Sequence, residues 1–293
     1  MFNTLLPFGC KISQNEPLSR HSSFKIGGAA DFFIEIPNEA ALMEFLKIAR
    51  ANGGIKYFVL GGGTNVLFDD AGYRGAIIKL SGDFKQFEIS GEEISCGAGA
   101  ALAAVLDASA KNGLSGLECV AGVPGTIGGA VFGNAGQKDV WISQAVKSVE
   151  LMDGFEKKIL KRDEVPFSYR KSGLENYIIT KVNFLLKKEA ENDILKNILE
   201  NVKKRSQSQP LSLPSAGCIF KNPAGFSAGK LVDGAGLKNM SAGGAKISDI
   251  HANFIVNAGG AKLKDVLELI ALAKKTVKEK FNIDLETEIK IIK

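Results

Sequence analysis

Apolar positions along the chain follow two periods. Segment 263–283, LKDVLELIALAKKTVKEKFNI, carries Leu263, Val266, Leu267, Ile270, Ala273, Val277 and Phe281 at three- and four-residue spacing, which predicts a long amphipathic helix. Segment 38–54 opens on an Asn cap and closes on paired glycines, and 192–210 is amphipathic and stops at a polar run before Pro210. Both predict helices, as does the alanine-rich 100–113, which ends in Asn112-Gly113. A shorter helix is expected around SAGKLVDGAG. Short apolar or alternating runs predict strands at 30–37, 57–60, 75–80, 85–90, 92–99, 145–153, 157–162, 176–188 and 251–257. The terminal run 284–292 reads as one strand, with Leu285, Ile289 and Ile291 facing one way and Glu286 and Glu288 the other. Strands mix with helices on both sides of residue 190. An α+β fold in two parts is therefore expected: 1–190, with subdomains at about 1–80 and 81–190, and 191–293.

Composition narrows the function classes. With 45% apolar and 24% charged residues the chain is ordinarily globular. Its net charge of +5 is spread out, unlike the concentrated, aromatic-interleaved stripe that binds nucleic acid. No run approaches the roughly 18 apolar residues that suggest a membrane span, and the N-terminus does not resemble a signal peptide. The four cysteines (Cys10, Cys96, Cys119 and Cys218) are scattered and form no C-x-x-C pair, so no metal site is expected. Unpaired thiols suit a cytoplasmic setting, and a monomer is expected.

The glycines cluster where chemistry is possible. A short strand runs into GGGTNVL, where the backbone N–H groups of Gly61, Gly62, Gly63, Thr64, Asn65 and Val66 could surround an anion. No Gly-Lys-Ser/Thr follows, so this is no Walker A loop. CGAGAAL imitates a dinucleotide pattern but lacks its third glycine, and a tight strand-to-helix turn accounts for it better. Segment 113–136 places eight glycines in 24 residues: Pro124-Gly125 fix a turn, and Gly128-Gly129 allow a second backbone approach. Two such loops suit a ligand with neighbouring phosphates, while turns in a β-rich domain explain each loop equally well.

HSSFKIGGAADFF, VLGGGTNVLFDD, GLECVAGVPGTIGGAVFGNAG, FSYRKS, PSAGCIFKNP, AGKLVDGAGLK, GGAKISDIHANFIVN and LETEIKII occur in that order. Together they resemble the MurB family, the UDP-N-acetylenolpyruvoylglucosamine reductases of peptidoglycan synthesis, from about residue 15 to the C-terminus. The resemblance implies a vanillyl-alcohol-oxidase-type FAD-binding region followed by a smaller substrate domain. It also implies non-covalent FAD, NADPH as reductant and UDP-N-acetylglucosamine enolpyruvate as substrate. After Tyr169-Arg170 the chain passes through one strand to the 192–210 helix, without the tyrosine-bearing loop of one branch, so it is similar to the shorter branch. Where the family frequently has Ala-Tyr-Gly, this chain has Gln137-Lys138-Asp139, which changes the contacts available there.

Residue roles follow from the same resemblance. Gly61, Gly62, Gly63, Thr64, Asn65, Val66, Pro124, Gly125, Thr126, Gly128, Gly129, Asn134 and Tyr169 fall at FAD-binding positions. Arg170 aligns with the arginine that stabilises the enolate formed when hydride reaches the enolpyruvyl group. Cys218 stands where many relatives have the proton-donating serine, and a thiol, with a pKa of about 8.5, is the stronger acid. Glu288 is the second acid of L-E-x-E and ranks above Glu286; Asn222, Lys238 and His251 align with substrate-contacting positions. From spacing alone Arg170 is a surface arginine at a strand end, Cys218 a buried filler, Glu288 a solvated carboxylate and His251 a hydrogen-bonded histidine at a strand start. Convergence of Arg170, Cys218 and Glu288 beside the flavin is the expectation that separates the two accounts. A related sugar or alcohol oxidase and a non-catalytic nucleotide-sugar-binding regulator are the alternative functions.

Overall fold

The computed structural model describes residues 2–137 and 139–293, so Lys138 of the Gln137-Lys138-Asp139 departure lies outside the described residues. The expected helices form close to their predicted limits. Asn38 caps Glu39–Ala51 by accepting the Ala41 N–H at 2.9 Å. Leu102–Lys111, Glu191–Ser208, Ala228–Gly234 and Leu263–Phe281 follow. In Leu263–Phe281 the spacing buries Leu263, Val266, Ile270, Ala273 and Val277, and Leu269 joins them. Phe281 differs from expectation at 40% exposed. The helix ends at this residue, capped by left-handed Asn282, so its apolar stripe runs past the core.

The chain divides into two compact units: Met1–Gln14, Phe32–Gly62 and Gly75–Lys204 form the first, and Asn15–Asp31, Gly63–Arg74 and Arg205–Lys293 the second. The change of unit expected near residue 190 therefore falls inside Glu191–Ser208, and two N-terminal segments leave the 1–190 block. Burial is the reason. Phe24, Ile26 and Leu67 share a core with Ile219, Val266 and Ile270. Val66–Phe68 pairs in parallel with Lys290–Ile292, and Asp70 Oδ2 accepts the Leu263 N–H at 2.7 Å. Contacts spanning about two hundred positions leave no periodic trace in the chain.

In the first unit a five-stranded antiparallel sheet runs Glu156–Lys161, Val146–Asp153, Ile178–Leu185, Glu93–Gly97, Phe87–Ser90. Strand alternation turns Ile94, Cys96, Val149, Leu151, Val182 and Phe184 into its core. A second sheet in this unit is ordered 32–36, 75–80, Tyr57–Val59. The short helix Ile127–Phe132 follows the Pro124-Gly125 turn.

The second unit centres on an antiparallel sheet ordered Ser215–Cys218, Phe254–Asn257, Ala245–Ile247, Ser241–Ala242, with Leu263–Phe281 sharing its core. The single C-terminal strand expected over 284–292 is replaced by a chain that changes partners. Lys221 N–H donates to Glu286 O at 2.9 Å and Glu288 N–H to Ile219 O at 2.7 Å, after which Lys290–Ile292 joins Val66–Phe68. Alternation survives the switch, because Leu285 and Ile289 are both buried.

Candidate active site

Within the second unit, local backbone geometry sets Cys218. Ser215–Cys218 pairs with Phe254–Asn257, but the register shifts between Ser215 and Cys218. Gly217 takes φ +79°, a left-handed conformation that glycine adopts without steric cost. Such a bulge re-aims the side chain that follows it. Cys218 is half-buried, whereas Cys10, Cys96 and Cys119 are buried. Burial raises the pKa of all three: to about 12 for Cys96 and to about 11 for Cys119, with the Glu118 charge adding to the latter.

Glu288 is held beside this strand. Its N–H donates to Ile219 O at 2.7 Å, and its carbonyl accepts Asn65 Nδ2 at 3.3 Å. The next residue of the 218–220 segment is fixed by Asn253, 3% exposed, whose amide accepts from Phe220 N–H at 2.9 Å and donates to Phe220 O at 2.8 Å. Ser23 ties in the glycine segment, with its N–H on Gly63 O at 3.0 Å and its hydroxyl on Ser215 O at 2.6 Å. Glu286 is exposed and pairs with Lys221, which spends its carboxylate at the surface.

The other substrate-position residues surround Ala228–Gly234. Asn222 Oδ1 accepts the Ala228 N–H at 2.9 Å, and Lys238 Nζ reaches Asp233 at 2.9 Å. A Cβ on Gly229 would lie 3.0 Å from His251 Cε1. Desolvation holds the His251 pKa below its ordinary value, and the nearby Lys238 charge adds to this. The Asn253 N–H donates to His251 Nδ1 at 3.2 Å, which assigns the proton of the neutral ring to Nε2.

In the first unit the two glycine loops touch. A Cβ on Gly62 would fall 2.7 Å from Gly125 Cα, and one on Gly61 would fall 2.8 Å from Thr126 Oγ1. Among the described residues, the Gly61 and Gly62 N–H groups donate to no protein acceptor. Part of the second loop is spent internally. Its Ile127 and Gly128 N–H groups donate to Ala100 and Ala98 carbonyls at 2.9 and 2.8 Å, and Gly129 N–H donates to Thr126 Oγ1 at 3.3 Å. Among the described residues, the Gly125 and Thr126 N–H groups, like those of Gly61 and Gly62, donate to no protein acceptor, so each loop keeps a pair of open donors where the two approach. A surface of bare backbone with open N–H groups fits the diphosphate of a dinucleotide such as FAD.

Tyr169 and Arg170 form the apex of a tight turn closed by Ser168 and Lys171, whose N–H groups exchange bonds with each other's carbonyls at 2.9 and 3.1 Å. Arg170 has φ +57°, a conformation costing an arginine on the order of 1 kcal/mol or more. Arg170 Nη1 donates to Gly136 O at 3.1 Å. Asn134, buried at 2% exposure, supports the turn by donating from Nδ2 to Ser168 O at 2.9 Å and accepting the Ser143 N–H at 3.4 Å.

Comparison with known proteins matches residues 30–157 to the FAD binding domain and 209–292 to the UDP-N-acetylenolpyruvoylglucosamine reductase C-terminal domain. The UDP-N-acetylenolpyruvoylglucosamine reductase of Bacillus licheniformis is 43% identical over 286 residues, 96% of this chain and 94% of that protein. That of Bacillus subtilis strain 168 is 41% identical over the same shares. This chain belongs to the UDP-N-acetylenolpyruvoylglucosamine reductase family. The fold agrees: the crystal structure of the reductase (MurB) from Thermus caldophilus superimposes with a TM-score of 0.85 at 36% identity, covering 97% of this chain and 100% of that one.

The reductase-family positions divide between the units. Cys218, Glu288, Asn222, Lys238, His251 and the segment Gly63, Thr64, Asn65 and Val66 lie in the second, with Val66 buried in its pairing with Lys290. Arg170, Tyr169, Gly61, Gly62, Asn134 and the loop carrying Pro124, Gly125, Thr126, Gly128 and Gly129 lie in the first. Sequence reasoning missed Asn253, Ser23 and Trp141. Asn253 had a signal, since it interrupts the apolar run of HANFIVN, while Ser23 and Trp141 act through contacts that no local pattern marks.

Proposed function

We propose that this chain is an FAD-dependent, NADPH-using UDP-N-acetylmuramate dehydrogenase. It reduces the enolpyruvyl group of UDP-N-acetylglucosamine enolpyruvate for peptidoglycan synthesis. Membership of the reductase family and the match to the FAD binding domain support the activity and the cofactor. A cytoplasmic setting accords with four cysteines that form no disulfide.

FAD, when bound, supplies to the β-carbon of the enolpyruvyl double bond a hydride obtained from NADPH. The residues of the chain handle the charge and the proton. Arg170 forks onto the substrate carboxylate and holds the negative charge that spreads into it as the double bond is reduced. Cys218 gives its proton to the α-carbon, which completes a two-electron, two-hydrogen reduction, and the thiolate recovers a proton from solvent. Glu288, protonated or hydrogen-bonded, stands by without repelling the intermediate. Gly61 and Gly62 present N–H groups to the cofactor phosphates. Asn222, Lys238 and His251 orient the nucleotide sugar, with His251 donating from Nε2.

One observation supports the acid assignment: the Glu288–Ile219 backbone bond sets the segment that bears Glu288 beside the segment that bears the half-buried Cys218. Anaerobic spectroscopy tests the whole reading. NADPH should bleach the flavin, and only the enolpyruvyl sugar should restore its colour. Colour restored by oxygen with an alcohol reductant would point to the oxidase, and a colourless protein to the binding regulator.

A further inference from the structure

The chain has one tryptophan, and it stands against Arg170. The strands Gly136–Gln137 and Val140–Trp141 pair antiparallel, with Trp141 directly opposite Gly136. The Gly136 carbonyl accepts Arg170 Nη1 at 3.1 Å. The guanidinium carbon lies 5.4 Å from the Trp141 ring centre and 5.6 Å from that of Tyr169. The two rings meet edge to face, 5.4 Å apart at 70°. Gly136 is needed for this hairpin, because a Cβ there would run into the Val140 carbonyl oxygen and would fall 2.7 Å from Trp141 Cα and 2.8 Å from the indole Cε3.

An arginine at a turn apex has a long chain with many rotamers, and a carboxylate that binds it must first remove that freedom. A planar, weakly hydrated guanidinium stacks on aromatic faces, where the ring quadrupole attracts it. We propose that Trp141 is a positioning residue for Arg170: the indole face and the Gly136 carbonyl pre-place the guanidinium for the substrate carboxylate. This rests on the role proposed for Arg170 above. Trp141 touches neither substrate nor cofactor in this scheme and acts only through the arginine. Negative charge on the carboxylate grows as the double bond is reduced, so a misplaced guanidinium weakens the later state more than the bound substrate. The loss belongs in kcat more than in KM.

The test compares Trp141→Leu, Trp141→Phe, Arg170→Lys and Arg170→Gln in the flavin-loaded enzyme, following each half-reaction by anaerobic stopped flow. Trp141→Leu should slow flavin reoxidation by the enolpyruvyl sugar about 3- to 30-fold, the range expected for losing a cation–π contact. Trp141→Phe keeps a ring face and should recover most of that rate. Because Trp141 is the sole tryptophan, its emission also reports the contact, and Arg170→Gln should shift it. Emission unchanged by Arg170→Gln overturns the pairing. Wild-type reoxidation in Trp141→Leu, with Arg170→Lys slowed, overturns the positioning role while the role of Arg170 stands. Wild-type reoxidation in Arg170→Lys removes both. Equal losses in Trp141→Phe and Trp141→Leu, each with a lowered melting temperature, mark a packing residue and overturn the proposal.

Discussion

Glu288 donates its backbone N–H to the carbonyl of Ile219 at 2.7 Å, so the segment bearing the carboxylate and the segment bearing the Cys218 thiol lie side by side. The contact arises because residues 284–292 pair first with 219–221 and then with Val66–Phe68. Glu288 sits at that change of partner.

Cys218→Ala should slow flavin reoxidation by substrate about 10²- to 10⁴-fold, the usual range for removing a general acid. Cys218→Ser should retain part of the rate, since a hydroxyl can still deliver a proton. Glu288→Gln should slow the same step, and Glu286→Gln should change it little, because Glu286 is exposed and pairs with Lys221. Anaerobic single-turnover absorbance reads all four; a wild-type rate in Cys218→Ala would remove the thiol from the chemistry.

Iodoacetamide near pH 8 should label Cys218 first. The other three cysteines are buried with raised pKa values, about 12 for Cys96 and about 11 for Cys119, so their thiols stay protonated and covered. Peptide mass spectrometry should find the first adduct at Cys218, and substrate should protect it. Prior labelling of Cys10, Cys96 or Cys119 would contradict this account of their burial.

His251 predicts a pH dependence of stability. Its folded-state pKa is depressed, chiefly by desolvation. In the unfolded chain it takes up a proton near pH 6.5, before the folded form does. Its contribution is therefore complete above about pH 6.5 and is lost as pH falls toward the folded-state pKa. Urea midpoints at pH 7.5 and 5.5 should converge for His251→Gln relative to the wild type. An identical pH-dependent drop in both proteins would show that His251 is not the group responsible.

Gly62→Ala should cost the protein its flavin. The added Cβ would lie 2.7 Å from Gly125 Cα, which forces the two glycine loops apart. The purified variant should be paler than the wild type and should regain absorbance at 450 nm only at raised FAD concentration. A fully yellow variant with unchanged retention would separate this contact from cofactor binding.

Local physics made much of this protein legible. Helical spacing over 263–281, the Asn38 cap and the alternating strands of 146–185 all express burial of one face, which neighbouring residues decide among themselves. The glycine loops and the family motifs likewise marked Gly61, Arg170, Cys218 and Glu288 as candidates. The long-range pairings were not legible. Phe24, Ile26 and Leu67 enter the C-terminal core, and Asp70 caps a helix that starts at Leu263, through contacts whose partners share no period. In the second glycine loop the Ile127 and Gly128 N–H groups proved to be spent on Ala100 and Ala98, and Trp141 came to rest on Arg170 through a hairpin opposite Gly136. Periodicity reports which face of an element is buried. Which distant surface buries it, and which donors are then consumed, is settled only when the elements pack.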